Sequence, residues 1–267
     1  KGIDVISFGI GDPDIPTPKY IIDSMKKFSD DPQNHRYPES DGLPEFREAI
    51  VDWYQKRFDV SLDSQKEVVS LIGAKEGIGH AALCFINPGD IALIPDPGYP
   101  VYSVGTWFAG GECHWMPLKE ENGWLPDLDD IPEDVANNSK VMWLNYPNNP
   151  TTALSSLDYL RDSIEFCRKT EAVLVYDNAY SEIAFNGFRP PSILEIEGAK
   201  NVALEFHSFS KTYNMTGWRL GFAVWPKSIA DTATRLAINC HSCVNAPTQF
   251  AGIAALEGPH DQVKAMV

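Results

Sequence analysis

The sequence is short of basic residues: 22 lysines and arginines stand against 37 aspartates and glutamates in 267 residues, a formal net charge of −15. A chain with this charge repels phosphate backbones and anionic lipid, which argues against nucleic acid and membrane surfaces as partners. It also lacks an apolar run of about 18 residues, and no charged segment with an apolar stretch opens the chain, so we expect a cytoplasmic protein. Any anionic ligand then needs a local pocket of positive charge.

Cysteine is also scarce, and its five positions form no recognisable metal or disulfide framework. The number is odd, and the Cys240–Cys243 pair has no second pair at zinc-finger spacing, which indicates reduced thiols used in packing. The six histidines show no metal-ligand spacing, and a GxSxG motif is absent from the sequence. The sequence thus predicts neither a metal site nor a serine-hydrolase triad.

The glycine motifs of the common nucleotide-binding folds are incomplete. Gly9 and Gly11 lack a third glycine at the required offset, and GAKEG at 73–77 lacks the Lys-Ser/Thr ending of a P-loop. The second segment nevertheless places small residues before a predicted helix, and the N–H groups at a helix start bind phosphate. Ala74 and Lys75 are therefore candidates for a phosphate site.

Apolar runs of strand length alternate with amphipathic stretches along most of the chain. The predicted strands are 91–94, 141–144, 172–176, 202–206 and 220–224. The predicted helices are 44–58, 76–85, 157–170, 228–239, 248–256 and 261–267. This alternation predicts an α/β fold with a mostly parallel sheet. Proline and glycine cluster at the predicted strand ends, where ligands bind in such sheets.

Turn-forming residues fill positions 8–18, which predicts an extended arm. We assign residues 1–30 to an N-terminal arm and small-domain segment and residues 31–267 to one large domain, a size that α/β units reach. The chain begins at Lys1 without methionine and stops at Val267 within a predicted helix. We therefore expect a piece of a longer protein, with a C-terminal small domain absent from this chain.

Three motifs at the predicted strand ends carry polar residues in a fixed order: YPNNPT at 146–151, YDNAYSEI at 176–183 and HSFSKTYNMTGWRLGF at 207–222. Together they resemble the signature of class I and II aminotransferases, pyridoxal phosphate enzymes of fold type I. The resemblance extends from residue 8 to about residue 256. It implies a mostly parallel sheet between helices, pyridoxal 5′-phosphate as cofactor, an amino acid and a 2-oxo acid as substrates, and a homodimer.

Five residues match positions around the cofactor ring in that family. Lys211 matches the lysine whose amine bonds the cofactor aldehyde and then carries a proton. Asp177 matches the carboxylate beside the ring nitrogen, which keeps that nitrogen protonated. Asn149 and Tyr180 match the donors to the phenolic oxygen. Tyr99 matches the aromatic residue that stacks on the ring. The resemblance thus makes Lys211, Asp177 and Tyr180 the expected catalytic residues.

Further matches concern the phosphate and the substrate. The resemblance implies phosphate ligands that supply N–H groups, hydroxyls or positive charge, namely Ala74, Lys75, Ser208, Ser210 and Arg219. Tyr37 matches a tyrosine that reaches the phosphate of the neighbouring subunit. Gly11 matches the arm glycine at the substrate carboxylate, and Asn149 is a second expected substrate contact.

Two features depart from the family pattern. Thr152 stands where most relatives have glycine, which alters the turn after Asn149. The arginine that clamps the substrate α-carboxylate lies, in the family, beyond the equivalent of Val267. This segment is therefore expected to bind cofactor better than it turns over substrate.

Within the family, most segments look like LL-diaminopimelate aminotransferases: 96–102, 116–123, 146–151, 179–191 and 195–200. The first expectation is therefore transamination between LL-diaminopimelate and 2-oxoglutarate, in lysine and peptidoglycan precursor synthesis. Residues 241–252 look more like aspartate-type or broad-specificity aminotransferases, which remain the alternative. A lyase on the same scaffold and a cofactor-sensing regulatory domain also remain open, although such regulators carry a basic DNA-binding domain.

Overall fold

The computed structural model describes residues 11–267, and the side chains of all of these except 227–231, 233 and 237. Residues 1–10, which include the first three residues of the predicted arm, lie outside the described residues. Seven strands are described: β1 (Val68–Leu71), β2 (Ile91–Asp96), β3 (Glu112–Pro117), β4 (Ser139–Asn145), β5 (Val173–Asp177), β6 (Ala203–Ser208) and β7 (Gly221–Val224).

The described α-helices surround these strands. They are α1 (Lys19–Ser29), α2 (Pro44–Phe58), α3 (Ala74–Phe85), α4 (Val101–Phe108), α5 (Glu133–Asn138), α6 (Leu157–Thr170), α7 (Phe209–Thr212), α8 (Lys227–His241), α9 (Ala246–Glu257) and α10 (Asp261–Met266). None of these described helices is both long enough and apolar enough to cross a bilayer.

The strands form one sheet in the order β1-β7-β6-β5-β4-β2-β3. Neighbouring strands are parallel except around β7, which runs antiparallel to both β1 and β6. The register pairs Ser208, at the end of β6, with Gly221, at the start of β7. The predicted α/β fold with a mostly parallel sheet is confirmed, and β1 and β3 are additions that the sequence pattern did not predict.

Both faces of the sheet are covered, as expected for parallel strands. In β4, Val141 and Trp143 belong to the core beneath α3 and α4, whereas Met142 and Leu144 belong to the larger core on the other face. Because successive strand residues point to opposite faces, a continuous apolar run serves both cores at once. The polar residues that end such runs therefore lie where the strands end, at the carboxyl-terminal side of the sheet.

Helix α1 begins directly after the predicted arm of residues 8–18, within the arm and small-domain segment 1–30, and it packs on α9. The Phe28 and Phe250 rings stack with centroids 3.7 Å apart, and the Ser24 hydroxyl donates to the Phe250 carbonyl at 3.0 Å. Ile21 on the same helix is fully buried in the larger core. These contacts attach α1 firmly to the body of the molecule, and a domain boundary at residue 30 stays a prediction.

Candidate active site

The carboxyl ends of β4, β5 and β6 open into a cleft of about 250 Å³. Because these three strands are parallel neighbours, their last residues, Asn145, Asp177 and Ser208, meet at one edge of the sheet. Every predicted site residue except Tyr37 lines this cleft: Gly11, Ala74, Lys75, Tyr99, Asn149, Asp177, Tyr180, Ser208, Ser210, Lys211 and Arg219. The topology thus joins residues that lie far apart in the sequence.

Tyr37 lies elsewhere in the chain. Its side chain is 88% exposed and borders a separate surface groove together with Asn245 and Pro247. Within one chain, Tyr37 therefore does not line the cleft, and its role in a neighbouring subunit stays a prediction.

Asn145 is a cleft residue that sequence reasoning missed. Its side-chain amide donates to the Asp177 carbonyl at 2.7 Å, and its side-chain oxygen accepts from the Asn149 N–H at 2.7 Å. Asn145 therefore joins the end of β5 to the turn that follows β4. The sequence did contain a signal for Asn145, because it is a polar residue directly after the apolar run 141–144. The cleft is also lined by residues without such a signal, namely Asp12, Ile78, Ala179 and Thr216.

The turn after β4 is held by Asn148, whose side-chain oxygen accepts from the Thr151 hydroxyl at 2.7 Å and the Thr151 N–H at 3.0 Å. Thr152 follows with φ of 62°, in the left-handed region. A β-branched residue there costs roughly 1–2 kcal/mol, which glycine avoids. With threonine at position 152, Asn149 lines the cleft.

Asp177 supplies a buried carboxylate at the base of the cleft. It is 4% exposed, and its Oδ2 accepts a hydrogen bond from the Tyr102 hydroxyl at 2.8 Å. Its Oδ1 has no hydrogen-bond partner among the described residues. Burial raises the pKa of Asp177 to about 6, and the Tyr102 hydroxyl acts in the opposite direction. The carboxylate is therefore suited to a ligand that brings an N–H donor or positive charge.

Lys211 supplies the amine. It lies on the short helix α7, where the Ser208 hydroxyl caps the helix start by accepting from the Ser210 N–H at 3.2 Å. The Lys211 amine donates to the Gly11 carbonyl. Among the described side chains no carboxylate forms an ion pair with this amine. A lysine held in a cleft without a counter-ion is available to a ligand.

Helix α3 points its start at the cleft. Gly73 precedes it with φ of 78°, and no side chain caps the helix start. The first N–H groups of the helix are therefore available to an anionic ligand. A Cβ at Gly73 would overlap the Arg219 guanidinium, which donates to the Thr216 carbonyl at 2.8 Å. Glycine is therefore required for the close approach of Arg219 to the helix start. N–H groups and a guanidinium together form an anion site.

Two tyrosines complete the walls of the cleft. The Tyr99 ring lies 6.0 Å from the Lys75 amine and meets the Tyr102 ring edge-on, with centroids 5.8 Å apart. Burial, with Asp177 and Tyr99 nearby, raises the pKa of Tyr180 to about 12. The Tyr180 hydroxyl therefore keeps its proton at neutral pH and can donate a hydrogen bond.

The described residues contain no group of three His, Cys, Asp or Glu side chains placed to hold a metal ion. The cleft combines an anion site, a lysine amine without an ion-pair partner among the described side chains, and a buried carboxylate with one oxygen free of hydrogen bonds to the described residues. The fold and this arrangement define an α/β protein whose cleft suits a ligand with an anionic group and a nitrogen that can pair with Asp177.

The comparisons with known proteins agree with this class. A model of the family described as aminotransferase class I and II matches residues 3–267. The chain belongs to that family. It is 52% identical to the LL-diaminopimelate aminotransferase of Dehalococcoides mccartyi over 98% of its length, and 52% identical to that of Aquifex aeolicus over 99%. It covers 68% of each of these relatives, about two thirds of their length.

Solved structures give the same result for the fold. The substrate-bound BacF structure from Bacillus subtilis superposes with a TM-score of 0.95 at 38% identity, covering 98% of this chain and 67% of that one. The expected membership of the class I and II aminotransferases is thereby confirmed.

The raised pKa of Asp177 predicts a pH-dependent stability for the ligand-free protein. The ordinary value is 3.8, so between about pH 4 and pH 6 the folded state holds a proton that the unfolded state has released. The contribution of Asp177 to stability therefore falls as the pH rises through this window, by about 3 kcal/mol in total. Asp177→Asn removes this contribution.

Urea unfolding of both proteins from pH 4 to pH 7 measures the effect. We expect the wild type to lose stability relative to Asp177→Asn as the pH rises. A difference between the two proteins that stays constant over this range contradicts the prediction.

Proposed function

We propose that the cleft binds pyridoxal 5′-phosphate and that the protein is a transaminase acting on LL-diaminopimelate. The observation that carries the cofactor assignment is the free Oδ1 of Asp177, a buried acceptor that the ring nitrogen of this cofactor satisfies. When bound, the cofactor supplies an aldehyde that reacts with amines and a protonated ring that withdraws electrons from the substrate Cα.

The residues present fit the other parts of this cofactor. The phosphate suits the start of α3, with Ser208, Ser210 and Arg219 as further donors. Asn149 and Tyr180 can donate to a phenolic oxygen, since Tyr180 keeps its proton at neutral pH. Tyr99 offers an aromatic face to the ring.

Each of the proposed catalytic residues has a defined role. Lys211 would hold the cofactor through its amine, and the same amine, when not bonded to the cofactor, would take a proton from the substrate Cα as a general base. Asp177 remains ionised beside a cationic ring nitrogen, a pairing that offsets the cost of burying its charge. Tyr180 holds the phenolic oxygen in its anionic form by hydrogen bonding.

Lys211→Ala tests the cofactor assignment. After borohydride reduction, the wild type should retain the cofactor covalently by mass spectrometry, and the variant should not. Activity with an amino acid and 2-oxoglutarate should fall by at least about a hundredfold, the usual contribution of a general base. Lys264→Ala, at an exposed position on α10, is the matched control and should behave like the wild type. Wild-type activity in Lys211→Ala refutes the assignment.

We further propose a cytoplasmic homodimer in which Tyr37 contacts the phosphate in the partner's cleft. The exposure of Tyr37 and its distance from the cleft of its own chain support this arrangement. A phenol that is 88% exposed in one chain loses little by donating its hydroxyl across an interface. The five free cysteines suit a reducing compartment.

Hybrid dimers test the shared site. Mixing Tyr37→Phe chains with Lys211→Ala chains should restore activity, because one of the two clefts in a hybrid then has both residues intact. The expected recovery is about a quarter of wild-type activity if subunits mix at random and each single variant is inactive. Size-exclusion chromatography with two different tags confirms that hybrids form. Hybrids without activity would assign Tyr37 to its own subunit's cleft.

The substrate assignment is supported by the 52% identity to LL-diaminopimelate aminotransferases over nearly the whole chain. Residues 241–252, which favour the aspartate-type alternative, do not line the cleft of their own chain. Asn245 caps α9, and the Gln249 side chain accepts from the Leu43 N–H at 2.7 Å and donates to the Val244 carbonyl at 2.8 Å. These contacts explain the segment by packing, so it carries little weight against diaminopimelate.

The ratio of kcat/KM values decides between the two substrates. With 2-oxoglutarate as acceptor, we expect LL-diaminopimelate to exceed aspartate, alanine and phenylalanine by about a hundredfold or more. A site built for a distal ammonium and carboxylate leaves polar groups unpaired when a substrate lacks them. The measurement is made on the complete protein. If aspartate is preferred tenfold, the aspartate-type alternative replaces the diaminopimelate assignment.

A further inference from the structure

Tyr102 is a buried residue that the proposed mechanism does not use. It lies in the first turn of α4, is fully buried, and donates its hydroxyl to Oδ2 of Asp177 at 2.8 Å. Its ring stacks on Trp143 of β4, with centroids 5.0 Å apart and planes 17° apart, and meets the edge of Tyr99. The phenol is thus held by packing, and its one polar atom is directed at the carboxylate.

We infer that Tyr102 is a positioning residue for Asp177. Its hydroxyl fixes Oδ2 and keeps Oδ1 turned to the cleft, and this orientation sets the affinity for ligands with a protonated ring nitrogen. This inference rests on the proposed cofactor. A carboxylate at a strand end can rotate about its terminal bond. A hydrogen bond on Oδ2 restricts that rotation, and Oδ1 is then the oxygen left without a partner among the described residues.

The same hydrogen bond stabilises the charged form of the carboxyl. Burial raises the pKa of Asp177, and the Tyr102 hydroxyl is the largest of the opposing influences. The other titratable groups that act on this carboxyl include His207, which also favours the anion, the preceding Tyr176 on β5, and Tyr99 and Tyr180 on the cleft side. Removing the Tyr102 hydroxyl leaves a buried anion with fewer donors, so it takes up a proton more readily and pairs less well with a cation.

Tyr102→Phe isolates this effect, because phenylalanine keeps the ring contacts with Trp143 and Tyr99. The probes are pyridoxamine 5′-phosphate, which has no aldehyde to bond Lys211, and its 1-deaza analogue, in which carbon replaces the ring nitrogen. Quenching of tryptophan fluorescence in the complete protein measures both dissociation constants. We expect the variant to bind pyridoxamine phosphate about 10-fold to 100-fold more weakly, the range for a hydrogen bond to a charged group. Binding of the deaza analogue should change less than about threefold.

Tyr159→Phe is the matched control. It removes a tyrosine hydroxyl that donates to the Pro126 carbonyl at 3.0 Å, outside the cleft, and should leave both dissociation constants unchanged. Replacing Tyr102 with 3-fluorotyrosine keeps the shape and makes the hydroxyl a stronger donor. That substitution should tighten the binding of pyridoxamine phosphate alone, so the inference is tested even where Tyr102→Phe does not fold.

The outcomes separate the inference from the proposed function. Equal weakening of both probes assigns Tyr102 to packing and overturns the inference, as does unchanged binding of pyridoxamine phosphate. A wild type that binds neither probe refutes the cofactor assignment itself and the inference with it. The positioning role is supported if Tyr102→Phe weakens the binding of pyridoxamine phosphate alone and the 3-fluorotyrosine protein binds pyridoxamine phosphate more tightly.

Discussion

The burial of the Asp177 carboxylate is the constraint on which the rest of the site depends. Taking a carboxylate out of water costs several kcal/mol unless it is paired, and here one oxygen is paired and the other is not. The neighbouring structure holds the group in place, because Asn145 binds its carbonyl and the apolar run of β5 precedes it. The fold thus carries a cost in the free state that a cationic ligand offsets.

The charge around the cleft differs from the charge of the chain as a whole. The chain as a whole is strongly acidic, yet Lys75, Lys211 and Arg219 surround the cleft. Gly73 lets the guanidinium approach the start of α3, so positive charge and helix N–H groups act on the same point. An acidic surface repels polyanions, whereas this pocket presents positive charge to a small anion.

Much of the site could be predicted because three motifs resemble the signature of a known family, whereas the strand pattern alone indicated only that a ligand binds at the ends of the strands. Asp177 ends the apolar run of β5 and Ser208 is the last residue of β6, and parallel pairing brings these two strand ends together. Tyr102 could not be predicted in this way, because its contact with Asp177 depends on how α4 packs across β4. Local periodicity contains no information about that packing.

The same distinction applies to the fold. The central strands are long apolar runs, which periodicity identifies well. The four residues of β1 and the alternating residues of the edge strand β3 give weaker patterns, and both strands are defined by their partners in the sheet. The hydrophobic pattern of the sequence therefore predicted the middle of the sheet better than its edges.

The pairing of β1 with β7 has a consequence for how the protein is made. Among the described strands β1 comes first in the sequence, and its one neighbour in the sheet, β7, comes more than 140 residues later. Until then β1 has an unsatisfied edge, and closing so long a loop carries an entropic cost that slows the step. The start of α3 and Arg219 flank these two strands, so the anion site forms only when the sheet closes. A chain in which β7 has not yet paired with β1 therefore lacks the complete anion site.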